Sequence, residues 1–266
     1  MDSVAAQSKR RHIPHLIVQL TLRELKGRYV GSVMGFFWNI VHPLITLAIW
    51  TFVFSYLLKL RFNPEGGTTD FAFYLFCGMV PFLSFQETIV NCTQSITANT
   101  GLVKNLVFPS KALQFSIGGA ALVSQLLSLS ILAIAVLIVR GHFPILFPLV
   151  VPFSLLLMLF GIGIGWLTCT LHVYFRDTAQ LVGVWLMVWL YATPIFYPAK
   201  IIPPWLNFLT YLNPLAYAVS VYRYLILSGP APPAAGMVVM LICSTGAFWL
   251  GYRVYTRYYP EFIDEL

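Results

Sequence analysis

The residues best able to do chemistry in this chain are its cysteines, histidines and acids, and their spacing points away from catalysis. Cys77, Cys92, Cys169 and Cys243 stand far apart with no CxxC pair. Three of them lie in or beside apolar segments, where a cysteine reads as a small apolar residue and not as a disulfide or metal ligand. The histidines are scattered, and no HExxH or similar ligand spacing occurs. The GIGIG run at 161–165 has the glycine content of a phosphate-cradling loop, but no GK[ST] follows it and no strand–turn–helix pattern surrounds it. Glycines in an apolar helix serve instead to bring helices close. Glu87 is the only acid deep in a predicted apolar span. An ion-coupled transporter places ionisable groups near the bilayer midplane and often carries inverted repeats, and no repeat is found. A membrane-embedded transferase would need acids, histidines or a metal motif converging on one side. The chain is therefore expected to have no catalytic, cofactor or metal site of its own.

Composition dictates what must surround such residues. Of 266 residues, 59% are hydrophobic and only 9% are charged, with a mean hydropathy of +0.80. A water-facing domain carries about 25% charged residues, so most of this surface has to face lipid. A net charge of +7 can signal nucleic acid. In an apolar chain it follows from cytoplasmic loops rich in Lys and Arg, and no nucleic-acid partner is expected. The basic stretch Lys9 to Arg11 leads into a mixed polar segment, unlike a cleavable signal.

The pattern predicts an all-α integral membrane protein in three parts. Residues 1–35 form a cytoplasmic N-terminus and an interfacial amphipathic helix over His12 to Tyr29, with His15, Gln19, Arg23 and Lys26 on one face. Residues 36–255 form a six-span domain, and 256–266 a cytoplasmic tail. The spans are predicted at about 36–58, 71–90, 112–139, 146–171, 181–196 and 234–255. Residues 91–111 read as a polar connection. Between spans five and six, Pro198, Pro203, Pro204 and Pro214 break an apolar stretch, which predicts short re-entrant periplasmic helices. With both termini cytoplasmic, 11 of the 16 Lys and Arg residues lie inside and 5 outside, the bias that sets orientation.

Several strings make the reading specific. RYVGSVMGFFWNIVHPLITLAIWTFVFSYLL (28–58), LVKNLVFPSKAL (102–113), FRDTAQLVGVW (175–185), TPIFYPAKIIP (193–203), YLNPLAYAVSVYRYLIL (211–227) and GYRVYTRYYPEFIDEL (251–266) occur in that order. Together they resemble the membrane subunits of ABC-2-type polysaccharide exporters, which move O-antigen, capsular polysaccharide or teichoic acid. The resemblance implies a bacterial inner-membrane permease that forms a homodimer and pairs with two copies of a separate ABC ATPase. ATP and magnesium would bind that ATPase, and the cargo would be a lipid-linked polysaccharide, O-antigen first. A drug or another lipid is the alternative cargo. The family's coupling helix, between spans two and three, falls here around Ser95 to Lys111.

Candidate sites follow. Ser95, Asn99, Leu102, Val103, Lys104 and Lys111 are expected to couple to the ATPase. Ser95, Thr97, Asn99 or Thr100 can start a short helix and Gly101 can break it; the plain alternative is a solvated connector. Phe52, Tyr56, Trp185, Trp189 and Tyr191 are expected to line the path, since rigid aromatic faces can guide a sugar chain without gripping one register. Rings that anchor the membrane interface would look the same. Pro203, Pro204, Trp205, Asn213, Pro214 and Arg223 are expected at a periplasmic gate. There Arg223 either pairs with carbonyls at a helix end or snorkels to the surface.

Overall fold

A chain facing hydrocarbon has no water to satisfy its backbone, so its hydrogen bonds must close within helices. Among the described residues every regular element is helical. The computed structural model describes residues 2–28, 31–57, 69–104, 109–197, 202–203, 205 and 210–262.

The helices are α1 (Asp2–Gly27), α2 (Trp38–Trp50), α3 (Thr69–Ala98), the single turn α4 (Thr100–Val103), α5 (Lys111–Arg140), α6 (Val150–Tyr174), α7 (Thr178–Ala192), α8 (Pro214–Leu227) and α9 (Ala234–Tyr258). A π-helical run, Thr51–Leu57, continues α2. Among the described residues, four stretches are long and apolar enough to cross a membrane: Asp70–Ala98, Lys111–Arg140, Phe147–Tyr174 and Ala234–Glu261. Trp38–Phe54, Thr178–Ala192 and Pro214–Leu227 are shorter apolar helices.

Boundaries differ from the expectation in three helices: α1 begins at Asp2 and not at His12, α7 ends at Ala192 and not near residue 196 because Thr193 turns extended ahead of Pro194, and α3 is longer. The second apolar helix does not stop near Val90 but runs to Ala98. Its polar residues are absorbed by the helix itself: Thr88 donates to the Ser84 carbonyl at 2.8 Å and Thr93 to that of Ile89 at 2.7 Å. Thr93 also meets Thr168 of α6 at 2.7 Å. Hydroxyls paired this way are buried between helices and do not end one.

α3 is the central post. Some 67% of its apolar window is buried inside the protein, against 22% for α9. Around it pack α5, α6, α7 and α8, while α1 lies along α5 and α9 along α6. The main core gathers Phe76, Phe82, Phe85 and Ile89 of α3 with Leu129, Leu157, Val219 and Tyr222. A second core, toward the α4 end, centres on Trp166 with Ile96, Val103, Leu113, Tyr255 and Phe262. The glycine run behaves as a contact surface. A Cβ on Gly163 would lie 2.5 Å from the Ala247 backbone, and one on Gly251 only 2.1 Å from the Gly163 carbonyl oxygen. Those glycines let α6 and α9 touch backbone to backbone.

Candidate functional site

The α7–α8 junction shows how a helix can stop inside an apolar layer. α7 ends at Ala192 and Thr193 turns extended, φ −94° and ψ 132°. Pro194 follows and brings no N–H, so the carbonyls at the break lack helical donors. Arg223 of α8 supplies them. Its guanidinium donates to the Pro194 and Ile195 carbonyls, both at 2.9 Å, and to Tyr74 of α3 at 3.4 Å. The guanidinium carbon sits 3.3 Å from the Tyr74 ring centroid, and the residue is 8% exposed. Of the two sequence readings for Arg223, the structure realises the carbonyl pairing and not the snorkelling one. Gly78 makes the space, since a Cβ there would lie 2.9 Å from Arg223 Nη2.

Asn213 ties the same two helices at the start of α8. Its Oδ1 accepts from the Leu215 amide at 3.0 Å, an N-cap followed by Pro214 at the first helical position. The same oxygen accepts from Trp189 Nε1 at 2.8 Å, and Asn213 Nδ2 donates to Thr193 Oγ1 at 2.9 Å. Two further contacts hold α8. Tyr222 meets Gln125 at 2.9 Å and Ser154 at 3.0 Å. Arg140, paired with Asp70 at 2.8 Å, donates to the Leu227 carbonyl at 3.0 Å.

Beside this junction opens a cleft of about 320 Å³ lined by Trp185, Val188, Trp189, Ala192, Leu212, Asn213 and Pro214. Trp185 and Trp189 face each other at 4.5 Å between ring centroids. Trp189 stands edge-on to Phe85 and Phe160 at 5.3 and 6.0 Å. The two rings therefore differ: Trp189 is partly buried against the main core, while Trp185 is exposed. Because Trp189 and Asn213 spend their polar groups on each other, the cleft offers ring faces more than hydrogen bonds. Tyr191 is also exposed, stacked on Phe196 at 5.8 Å, and Phe52 is exposed on the π-helical run. The cleft brings Trp185 and Trp189 together but contains neither Phe52 nor Tyr191. Pro203 and Trp205 are exposed; Pro204 and the Tyr56 side chain lie outside the described residues.

At the opposite end, α3 passes into α4 through Asn99, which accepts the Leu102 and Val103 amides through its carbonyl, both at 3.0 Å. Gly101 lies within this turn instead of breaking it. Val103 is fully buried among Ile96, Trp166, Tyr255 and Phe262, so its side chain is not free for another protein. Ser95 is buried too, accepting from Gln114 Nε2 at 3.0 Å and donating to the Cys92 carbonyl at 2.7 Å. Asn99 Nδ2 donates to the Ser95 carbonyl at 2.9 Å. What faces outward is Lys104, with Leu102 half-buried; Lys111 stands 4.0 Å over the Tyr252 ring. Residues 105–108 lie outside the described residues.

Sequence reasoning missed the partners of Arg223, Tyr74 above all, and the partner of Glu87. Glu87 is ion-paired with Arg28, whose Nη1 also donates to Ser124 of α5 at 3.1 Å. A lone acid in an apolar span needs a cation nearby, and that demand was the available signal. Among the described residues no group of three His, Cys, Asp or Glu side chains is placed to hold a metal.

Comparison with known proteins adds relatives to this geometry. Residues 15–227 match the family model for ABC-2 type transporters. An O-antigen export system permease protein RfbA from Myxococcus xanthus is 24% identical over 257 residues, covering 94% of this chain and 95% of that one. A protein of the same name from Klebsiella pneumoniae is 29% identical over 218 residues, 80% of this chain and 81% of that one. The polysialic acid transport protein KpsM of Escherichia coli is 26% identical over 243 residues, 89% and 90% of the two chains.

Proposed function

The chain belongs to the ABC-2 type transporter family, whose model spans residues 15–227, and on that premise we propose that it is the membrane half of an ATP-driven exporter of lipid-linked polysaccharide, with O-antigen as cargo. The observation that carries the reading is the near full-length match to a protein named as an O-antigen export permease, 94% of this chain against 95% of that one. In this reading two copies form the permease and each joins one separate ATPase, which binds the ATP and magnesium. The protein sits in the bacterial inner membrane with both termini in the cytoplasm, as the 11 to 5 distribution of its 16 basic residues favours.

Six spans fit if α2 with its π-helical extension and α7 complete the four long helices. α7 has 15 residues, about 22 Å of helix against a hydrocarbon layer of about 30 Å. α8 then dips back from the periplasmic side, its broken backbone served by Arg223 and Asn213. The exposed rings Phe52, Trp185 and Tyr191 supply apolar, sequence-tolerant surface suited to sugar C–H faces. The outward Leu102 and Lys104 form the ATPase contact, with Ser95 and Val103 anchoring that turn to the core. Glu87 is ion-paired with Arg28, which gives the acid a structural task, and this reading calls for no proton site there.

A capsular cargo is the second reading, favoured by 26% identity to a polysialic acid transport protein over 89% of the chain. Deleting the gene and fractionating cellular glycans separates them. O-antigen export predicts that the surface O-chain disappears while lipid-linked polymer accumulates inside, and loss of capsule alone selects the second reading. Surface glycans of every class at normal levels would reject both.

A further inference from the structure

Among the described residues, α2 buries few groups against the rest of the protomer. Of its 13 residues only Asn39 and Leu47 are buried, while Leu44, Ile45 and Ile49 are exposed. It continues into the π-helical run Thr51–Leu57, a rare geometry that is frequent at functional sites. α8 is different, being fastened at its start by Asn213, in its middle by Tyr222 and Arg223, and at its end by Arg140.

Asn39 is the polar residue that α2 buries, and it belongs to a chain of contacts joining four elements. Its Oδ1 accepts from Ser124 Oγ of α5 at 3.2 Å. Ser124 Oγ accepts from Arg28 Nη1 at 3.1 Å, just past the end of α1. Arg28 Nη2 is ion-paired with Glu87 of α3. One hydroxyl thus donates to α2 while accepting from the α1 end, so neither contact excludes the other. α1 is itself pressed onto α5, where a Cβ on Gly119 would lie 3.0 Å from Thr21 Oγ1.

We propose that Arg28, Glu87, Ser124 and Asn39 are positioning residues for transport: they form a polar joint that seats α2, and the exposed ring of Phe52 beyond it, on α3 and α5. Apolar contacts alone would hold α2 poorly in a membrane, because lipid tails solvate Leu and Ile as well as a neighbouring helix does. Hydrogen bonds and ion pairs add attraction that lipid tails do not supply, and their direction fixes register as well as contact. The Arg28 and Glu87 side chains are 23% and 31% exposed. Their attraction therefore exceeds that of a fully solvated surface pair, and either charge left alone would be poorly solvated.

The test uses the complete transporter in its native membrane with the variants Glu87→Gln, Ser124→Ala and Ser124→Thr. Two quantities are read: glycan exported per permease, and the distance within one protomer between spin labels at the exposed positions Ile49 of α2 and Ile138 of α5. Labelled copies are diluted with unlabelled ones so that only intraprotomer distances register. Glu87→Gln should lower export about tenfold, the scale of a hydrogen bond to a charged group, and Ser124→Ala about threefold, the scale of a neutral one. Both should shift or broaden the distance distribution, and Ser124→Thr, which keeps the hydroxyl, should restore distance and export. Should Glu87→Gln fail to accumulate, the uncharged Ser124 pair decides. Distances unchanged in Ser124→Ala, or distances altered with export untouched, would overturn the joint. Export as a readout rests on the proposed function, whereas the distance does not: a wild-type protein that exports no glycan, with the shift still present in the variants, refutes the export reading and leaves the joint standing.

Discussion

Replacing Arg223 by Met, which keeps an unbranched side chain and removes the guanidinium, should loosen the α7–α8 junction severely. The group lost donates at 2.9 Å to each of two neighbouring carbonyls, those of Pro194 and Ile195, and at 3.4 Å to Tyr74. Its carbon stands 3.3 Å from the Tyr74 ring centroid. A hydrogen bond to a charged group is worth about 1.5–3 kcal/mol. Each buried acceptor left unsatisfied costs about 1–3 kcal/mol and bonds sharing one guanidinium are not independent, so the working figure for the two close carbonyls is about 3–5 kcal/mol. The orphaned carbonyls belong to a helix break, where no i+4 amide can replace the donor. Arg223→Lys should recover less than half of the loss, since a single ammonium cannot fork across adjacent carbonyls. Thermal unfolding of the purified permease in lipid nanodiscs measures the effect. At roughly 2–4 °C per kcal/mol for a chain of this size, Arg223→Met should melt roughly 6–20 °C lower. A surface arginine would change stability by only about 0.5 kcal/mol. A Met variant melting within about 2 °C of the parent, or a Lys variant equal to it, would refute the reasoning.

Other expectations follow from burial. Trp185→Ala should lower glycan export at unchanged permease abundance, because the ring is exposed in the cleft; unaltered export would make it a lipid anchor. Trp189→Ala should instead lower the melting temperature, since that ring holds Asn213 and packs on Phe85 and Phe160. Leu102→Asp should weaken recovery of the ATPase while the permease accumulates normally. Val103→Asp should cut permease abundance, because it places a charge in the Trp166 core, and normal accumulation of that variant would contradict the packing. Single cysteines at His142 and Ala231, both exposed, should label from outside intact cells, and those at Lys104 and Arg176 only after permeabilisation; the opposite pattern would invert the topology.

Hydropathy made the helical class and the four long apolar helices legible, because lipid imposes the same demand on every residue of a span. The proline-broken stretch also pointed to a break just before Pro214, but the one at Pro194 was not legible: the fifth span was expected to run to about residue 196, whereas α7 ends at Ala192. Nor was the chemistry of that break legible: Tyr74 and Arg223 are 149 residues apart, and periodicity carries no signal over that separation. The end of α3 was misjudged because Thr93 and Ser95 look like loop residues until their hydroxyls are seen to return to the helix. Val103 was assigned to a partner surface since its segment is polar on average; one turn of helix is enough to point one side chain inward and its neighbours out. Trp185 and Trp189 read alike in sequence, and it is the bond to Asn213 and the packing on Phe85 and Phe160 that set the partly buried Trp189 apart from the exposed Trp185.

The most direct measurement is transport in inside-out membrane vesicles prepared from cells with and without this chain and loaded externally with radiolabelled lipid-linked O-polysaccharide. Vesicles containing the chain should move label into the lumen, protected from added glycosidase, when ATP and magnesium are supplied, and should stop when ATP hydrolysis is blocked. Equal protected label without the chain, or accumulation that needs no ATP and collapses with the proton gradient, would contradict the account.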